Sequence, residues 1–313
     1  MRFHSISLPV PFRMCLQLAL CFLGCGSTTI AQAVTYSAQI ETSQWYLSAS
    51  IFECSLTHNI PDYGRGVFFH EAGEKLQFYL DALHNPMKPG KAALVLEAPA
   101  WKAGLRVKEL GFVAVADSAR ALVVDDVRAT DMMDSLLSGM MPTFTRQAWF
   151  SDDSVRVRIS SINFASLYPD YLKCLSGLLP VNFRQVERSK VHFEVDKAKL
   201  TNEDYNVLNN IIIFVKADPT VTAIFVDGHT DSSGRRIHNR RLSKERSEVV
   251  TQYLIDHGIR EDMITTRYHG ERYPVAKNNS KTNKAKNRRT TVRLERGSDA
   301  QNNKNGDAEF SDS

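Results

Sequence analysis

The period of the apolar residues changes near Lys190, and this change limits the chain to two differently built halves. Before it, strand patterns dominate: Ser154-Val155-Arg156-Val157-Arg158-Ile159-Ser160 alternates strictly, apolar residues on one face and arginines on the other. Further strands are expected at Trp45–Cys54, Val67–His70, Lys75–Leu83, Ala92–Leu96, Arg106–Val113 and Ala121–Val124, divided by turns such as Pro61-Asp62-Tyr63-Gly64. Helices are expected only around Asp131–Met141 and Tyr168–Leu179. After Lys190 the order becomes strand (Val191–Val195), helix from Asn202 to Asp218-Pro219, and strand (Val221–Val226). A helix from an N-cap at Ser243 to Gly258 follows, then strands at Met263–Tyr268 and Thr290–Leu294. The fold class is α+β: a β-rich domain, then helices packed on one mixed sheet.

The first 33 residues read as an export signal. Arg2 and Arg13 supply positive charge, Met14–Leu23 is a short apolar run, and Ala31-Gln32-Ala33 is a small-x-small cleavage site. The run is about half the roughly 20 residues a membrane helix needs. Cleavage after Ala33 removes Cys15, Cys21 and Cys25, leaving Cys54 and Cys174 in an oxidising compartment, where a disulfide between them is expected. The rival reading is an outer-membrane lipoprotein acylated at Cys25, from the lipobox-like Phe22-Leu23-Gly24-Cys25. The expected division is 1–33 signal peptide, 34–185 β-rich domain, 186–296 second domain, and 297–313 a polar, disordered tail.

A net charge of +4 over 313 residues gives no support to nucleic-acid binding. His192, His229 and His238 lack the spacing of a metal site, so neither metal nor cofactor is expected, and His229 reads as a donor within its turn. No nucleophile elbow, phosphate loop or dinucleotide fingerprint occurs, and the chain does not read as an enzyme. Lys277–Arg289 is basic and Asn-rich, the pattern of a solvated loop. Trp45, Trp101 and Trp149 read as core residues of the β-rich half.

The chemistry concentrates in Gly228-His229-Thr230-Asp231 and the helix after it. Gly228 suits a sharp exit from the strand. Arg246 lies three and four residues before Val249 and Val250, so it shares their apolar face and must find an acceptor. Two readings follow: an internal Asp231–Arg246 ion pair, or opposite charges flanking a pocket for a zwitterion.

Gly228-His229-Thr230-Asp231, Asn239-x-x-Leu242-Ser243-x-x-Arg246, Tyr268-x-Gly270, Pro274 and Asn287-Arg288-Arg289 together resemble the OmpA-like peptidoglycan-binding family. The resemblance implies that Asp231 and Arg246 hold the diaminopimelate of the stem peptide. It implies supporting roles for Asn239, Leu242, Asn287 and Arg289, and a backbone contribution at Asp196. In the first half, Gln44-Trp45, Glu53-Cys54-x-Leu56-x-His58-x-Ile60-Pro61, Pro99-x-Trp101, Pro142-Thr143-Phe144 and Gln147–Cys174 resemble the MotY family of sodium-driven flagellar motor proteins. That second resemblance implies a periplasmic ring with MotX at the basal body, assisting assembly of the membrane stator units. The alternatives are a general OmpA/Pal-type wall anchor and, less favoured, a cell-wall hydrolase.

Overall fold

The computed structural model describes residues 33–99, 101, 102, 104 and 106–297. The export segment up to Gln32, including Cys25, and the tail from Ser298 lie outside them.

Ten strands of the first half form one curled, mixed sheet in the order β1-β10-β9-β6-β7-β8-β5-β4-β3-β2. They are β1 Ala33–Tyr36, β2 Trp45–Ala49, β3 Glu53–Ile60, β4 Gly64–Glu71, β5 Gln77–Ala82, β6 Gly90–Glu97, β7 Lys108–Val115, β8 Arg120–Val124, β9 Met141–Gln147 and β10 Ser154–Arg158. Only β1 and β10 run parallel. The sheet curls until its ends approach: Tyr36 of β1 meets Tyr63 with ring centroids 5.5 Å apart, and Trp45 of β2 donates to Ser160 O at 3.1 Å. The alternation in β10 is as expected. Val155 and Val157 are buried, while Arg156 and Arg158 reach Glu97 at 2.5 and 3.1 Å.

Several expectations are corrected. Trp45–Cys54 is not one strand: the Ser50 hydroxyl accepts N–H bonds from Phe52 and Glu53 and turns the chain between β2 and β3. The first helix, α1 Asp126–Leu137, begins earlier because the Asp125 carboxylate caps Arg128 N. It ends at Gly139, φ +82°, so Met141 opens strand β9 where a helix was expected to continue. The helix α2 Phe164–Ser176 starts four residues before Tyr168 and carries Pro169 inside it rather than in its first turn. Of the three tryptophans only Trp45 is in the core; Trp101 and Trp149 are 56% and 65% exposed.

The second half holds α3 Phe183–Val186, β11 Arg188–His192, α4 Asn202–Ala217, β12 Val221–Gly228, α5 Arg236–Asp256, β13 Ile264–Tyr268, α6 Lys281–Asn287 and β14 Arg289–Arg296. Its four-stranded sheet runs β11-β14-β12-β13, with β12 and β13 parallel. Thr201 and Asp204 cap α4 reciprocally, and Leu208, Ile211, Ile212 and Val215 bury its apolar face. The helix α5 starts seven residues before Ser243, which is buried inside it. Rather than capping, the Ser243 hydroxyl donates to Arg240 O and accepts Gly270 N, tying helix to turn. The basic stretch is not a loop throughout, since α6 runs through it and Asn287 and Arg289 are buried.

Two hydrophobic cores result, one per sheet, and the second takes in Phe52 from the first half. The Phe52 and Phe214 rings lie 5.9 Å apart. Asn182 donates to Ala72 O and Gln185 to Gly73 O, so the turn between β4 and β5 is held against α3. Cys54 in β3 and Cys174 in α2 form the expected disulfide, with Cα atoms 6.0 Å apart.

Candidate functional site

The loop after β12 is fastened on every side by backbone bonds. His229 N donates to Arg289 O at 2.8 Å, and Thr230 N to Gly270 O at 2.9 Å. Gly228 is required by close packing and not by a sharp exit, because a Cβ there would stand 2.1 Å from Ser243 O of α5. Strand and helix therefore approach closely enough for α5 to place side chains directly beneath the loop.

Arg246 is the largest such side chain, with no exposed surface. Its Nε donates to Lys197 O at 2.9 Å, Nη1 to His229 O at 3.1 Å and Nη2 to Glu194 O at 3.0 Å. The acceptor required by its place on the apolar face is thus three backbone carbonyls, and its guanidinium carbon lies over the Phe193 ring, 5.1 Å from the centroid. Burial, and then the nearby Arg288 charge, lower its pKa to about 10, so it stays charged at neutral pH. The internal Asp231–Arg246 ion pair is not formed. Asp231 instead pairs with Arg288 at 3.0 Å and accepts Ser233 N at 2.8 Å. Burial pushes the Asp231 carboxyl up, but the Ser233 amide and Arg288 outweigh it and hold the group below the ordinary carboxylate range.

Arg288 is the residue that sequence reasoning passed over in favour of its neighbours. Its Nε donates to Phe193 O at 3.0 Å, and its side chain keeps 14% of its surface exposed beside Asp231. Asn287 and Arg289 sit behind it. The Asn287 amide oxygen accepts Val275 N and Ala276 N, while its nitrogen donates to Ala276 O and Asn278. Arg289 Nη2 donates to Tyr273 O at 3.1 Å. Both shape the turn after Pro274, and neither contacts Asp231.

Asp196 faces the loop from the other side. It takes a left-handed φ of +56°, and its carboxylate lies 2.6 Å from His238 Nε2. Asn239 is buried and donates to Glu271 at 2.5 Å, and Leu242 is buried one turn further along α5. The structure thus brings Asp196, Asp231, Arg246 and Arg288 around one loop, and places Asn239, Leu242, Asn287 and Arg289 in its supports. His229 is not a side-chain donor in its turn: the ring stacks on His269 at 5.0 Å, and the buried Nδ1 has no partner.

Such a site pairs alternating charges in a partly open setting. It can exchange its own ion pair for contacts to an ammonium and a carboxylate, but it holds no aligned nucleophile and base. The larger cleft of about 800 Å³ lies on the first sheet, where Asp81 is already paired with Arg65 and Arg120 at 3.0 and 3.4 Å.

Residues 36–180 match the MotY N-terminal domain, and residues 192–288 match the OmpA family. The chain is 30% identical over 268 residues to the sodium-type flagellar protein MotY of Vibrio parahaemolyticus, across 83% of this chain and 90% of that protein. Its second half is 34% identical over 102 residues to the peptidoglycan-binding protein ArfA of Mycobacterium bovis, across 33% of this chain and 31% of that one. The C-terminal domain of Helicobacter pylori MotB aligns at 22% identity with a TM-score of 0.34, over 39% of this chain and 97% of that domain.

Proposed function

This chain belongs to the MotY family, and from that premise we propose that it is a periplasmic component of a sodium-driven flagellar motor that grips peptidoglycan without altering it chemically. Kinship with MotY and the OmpA-family half support a flagellar-motor role in the cell envelope. The observation that carries the binding part is Asp231 held by Arg288 directly above the buried Arg246. Diaminopimelate carries an amine and a carboxylate at its far end. Asp231 suits the amine and a guanidinium the carboxylate. Arg288, with exposed surface, makes the direct contact, and Arg246 fixes the loops at Glu194, Lys197 and His229 around it. A site this close to water gives modest affinity per copy. Many copies in a ring with MotX would then supply retention.

The division of labour assigns the half built on the first sheet to docking on MotX and the basal-body rings, and the half from α3 onward to the wall, so that stator units assemble around a fixed ring. A wall-binding domain alone cannot tell the motor from the rest of the sacculus, which leaves position to the first half. The match over residues 36–180 favours this reading over a general OmpA/Pal-type anchor. The test is a deletion strain complemented by tagged halves. Flagellated but non-swimming cells, with foci at the flagellar base from the first half alone, are expected. Normal swimming of the deletion strain would overturn the motor reading.

A further inference from the structure

The basic segment that sequence assigns to a solvated loop is folded against the Asp231 loop. Ser232 N donates to Asn278 at 3.3 Å, Lys284 Nζ to Ser233 Oγ at 3.1 Å, and Arg288 pairs with Asp231. On the opposite flank α5 opens with Arg236, and a cleft of about 130 Å³ is lined by Arg236, Arg240 and Arg272 against one carboxylate, Glu271, which accepts the Asn239 amide. The loop therefore lies between two basic walls. From Glu187 to Gly297 there are 22 lysines and arginines against 15 aspartates and glutamates, a surplus of 7 where the whole chain nets +4.

The surplus is concentrated beside the site. Further along α5, Arg241 and Lys244 pair with Glu245 and Glu248 at 3.4 and 3.6 Å. Among the described residues, none of Arg235, Arg236, Arg272, Lys277, Lys281 and Lys286 is paired with a carboxylate, and all six are exposed. Unpaired like charges gathered around one opening repel each other in the free protein and are relieved by an anionic partner. At physiological salt a surface charge is felt over about 8 Å, so the partner's charges must come close to the loop itself.

We propose that these two flanks form a second contact for peptidoglycan, taking the free carboxylates of stem peptides that neighbour the one held at Asp231. The proposal rests on the peptidoglycan reading of that loop and adds a preference to it. Peptidoglycan with unamidated stems carries a dense array of carboxylates, and the flanks are continuous with the loop through Lys284 and Asn278. A stem reaching Asp231 brings its neighbours against them. The domain then selects acidic, unamidated wall, and its hold on the sacculus weakens with salt more than its hold on one isolated stem.

The experiment uses the mature full-length protein and three probes: purified sacculi, the soluble tripeptide L-alanyl-γ-D-glutamyl-meso-diaminopimelate, and anionic phospholipid vesicles. Arg236→Gln, Lys281→Gln and Lys286→Gln are combined; Arg235→Gln with Lys277→Gln on the same flanks is a second variant should the first not fold. Affinity for sacculi is expected to fall roughly three- to tenfold, the range for a few exposed charge contacts, with a flatter salt dependence and unchanged tripeptide affinity. Unchanged sacculus affinity in both variants would overturn the proposal and leave the Asp231 reading standing. Wild-type protein that binds sacculi but not the tripeptide would overturn that reading and the proposal with it. A variant that loses capture by anionic phospholipid vesicles but keeps that of sacculi would assign the flanks to lipid instead, and overturn the proposal.

Discussion

Arg288 holds Asp231 at 3.0 Å, while Arg246, on the helix below, holds the same loop two residues earlier through His229 O. One guanidinium engages the charge that a ligand would meet. The other engages only backbone. Their substitutions should therefore differ in kind.

Arg288→Gln is expected to lower capture by sacculi at least tenfold with a smaller loss of stability than Arg246→Ala, although the bond from Arg288 Nε to Phe193 O goes together with the pair to Asp231. Arg246→Ala is expected to reduce capture and also to destabilise by about 3 kcal/mol or more, because a fully buried side chain is removed and the carbonyls of His229, Lys197 and Glu194 lose their donor. Parallel sedimentation and urea melts separate the two. Equal stability losses would show that both arginines are structural.

Reducing the Cys54–Cys174 bridge should loosen the fold as a whole. The cysteines are 120 residues apart, and the chain-entropy estimate for such a loop is about 4–5 kcal/mol. Mass mapping without reductant should find the bridged peptide, and urea midpoints should fall on reduction. An unchanged midpoint would contradict this.

Gly228→Ala places a methyl group 2.1 Å from Ser243 O, which is backbone and cannot swing away. Separation of β12 from α5 should cost about 3 kcal/mol. Capture by sacculi should fall with it, because Asp231 is carried on the end of that strand. A variant as stable as the parent would contradict the packing described.

Stability should depend on pH through two buried histidines. His58 is locked neutral, with Nδ1 donating to Gln44 O and Nε2 accepting Ser160 N, and burial lowers its pKa to about 4. Burial lowers His229 to about 4 as well. Below the ordinary pKa of 6.5 the unfolded chain binds the protons that the folded one refuses. Their contribution is thus complete above about pH 6.5 and is lost as pH falls towards 4, on the order of 3 kcal/mol each. His58→Gln with His229→Gln should flatten this slope, and an unaltered slope would assign it elsewhere.

The repeating patterns of the fold were legible in the sequence, and the local exceptions were not. Strict alternation placed β10, and the spacing of Leu208, Ile211, Ile212 and Val215 placed α4. Ser243 reads as a cap because serine is a favoured N-cap residue. Its hydroxyl is needed by Gly270, a long-range partner that no local pattern reveals. Met140 and Met141 read as helix continued because nothing in the period marks Gly139 as a stop. Trp149 reads as core by residue type, but it sits between β9 and β10 with its amide on Pro86 O. At the site, motif order located Asp231 and Arg246. It could not tell which of the adjacent Arg288 and Arg289 faces Asp231, because neighbouring residues entering a strand point to opposite sides.

The most direct test of the binding account is the Asp231→Asn variant, which keeps the shape of the side chain and removes its charge. Purified wild-type and variant protein would be incubated with sacculi, pelleted and quantified, with melting temperatures measured alongside. Wild-type protein should pellet, and the variant should remain in the supernatant with a melting temperature within a few degrees of the parent. A folded Asp231→Asn protein that pellets as well as wild type would contradict the assignment of this loop to peptidoglycan.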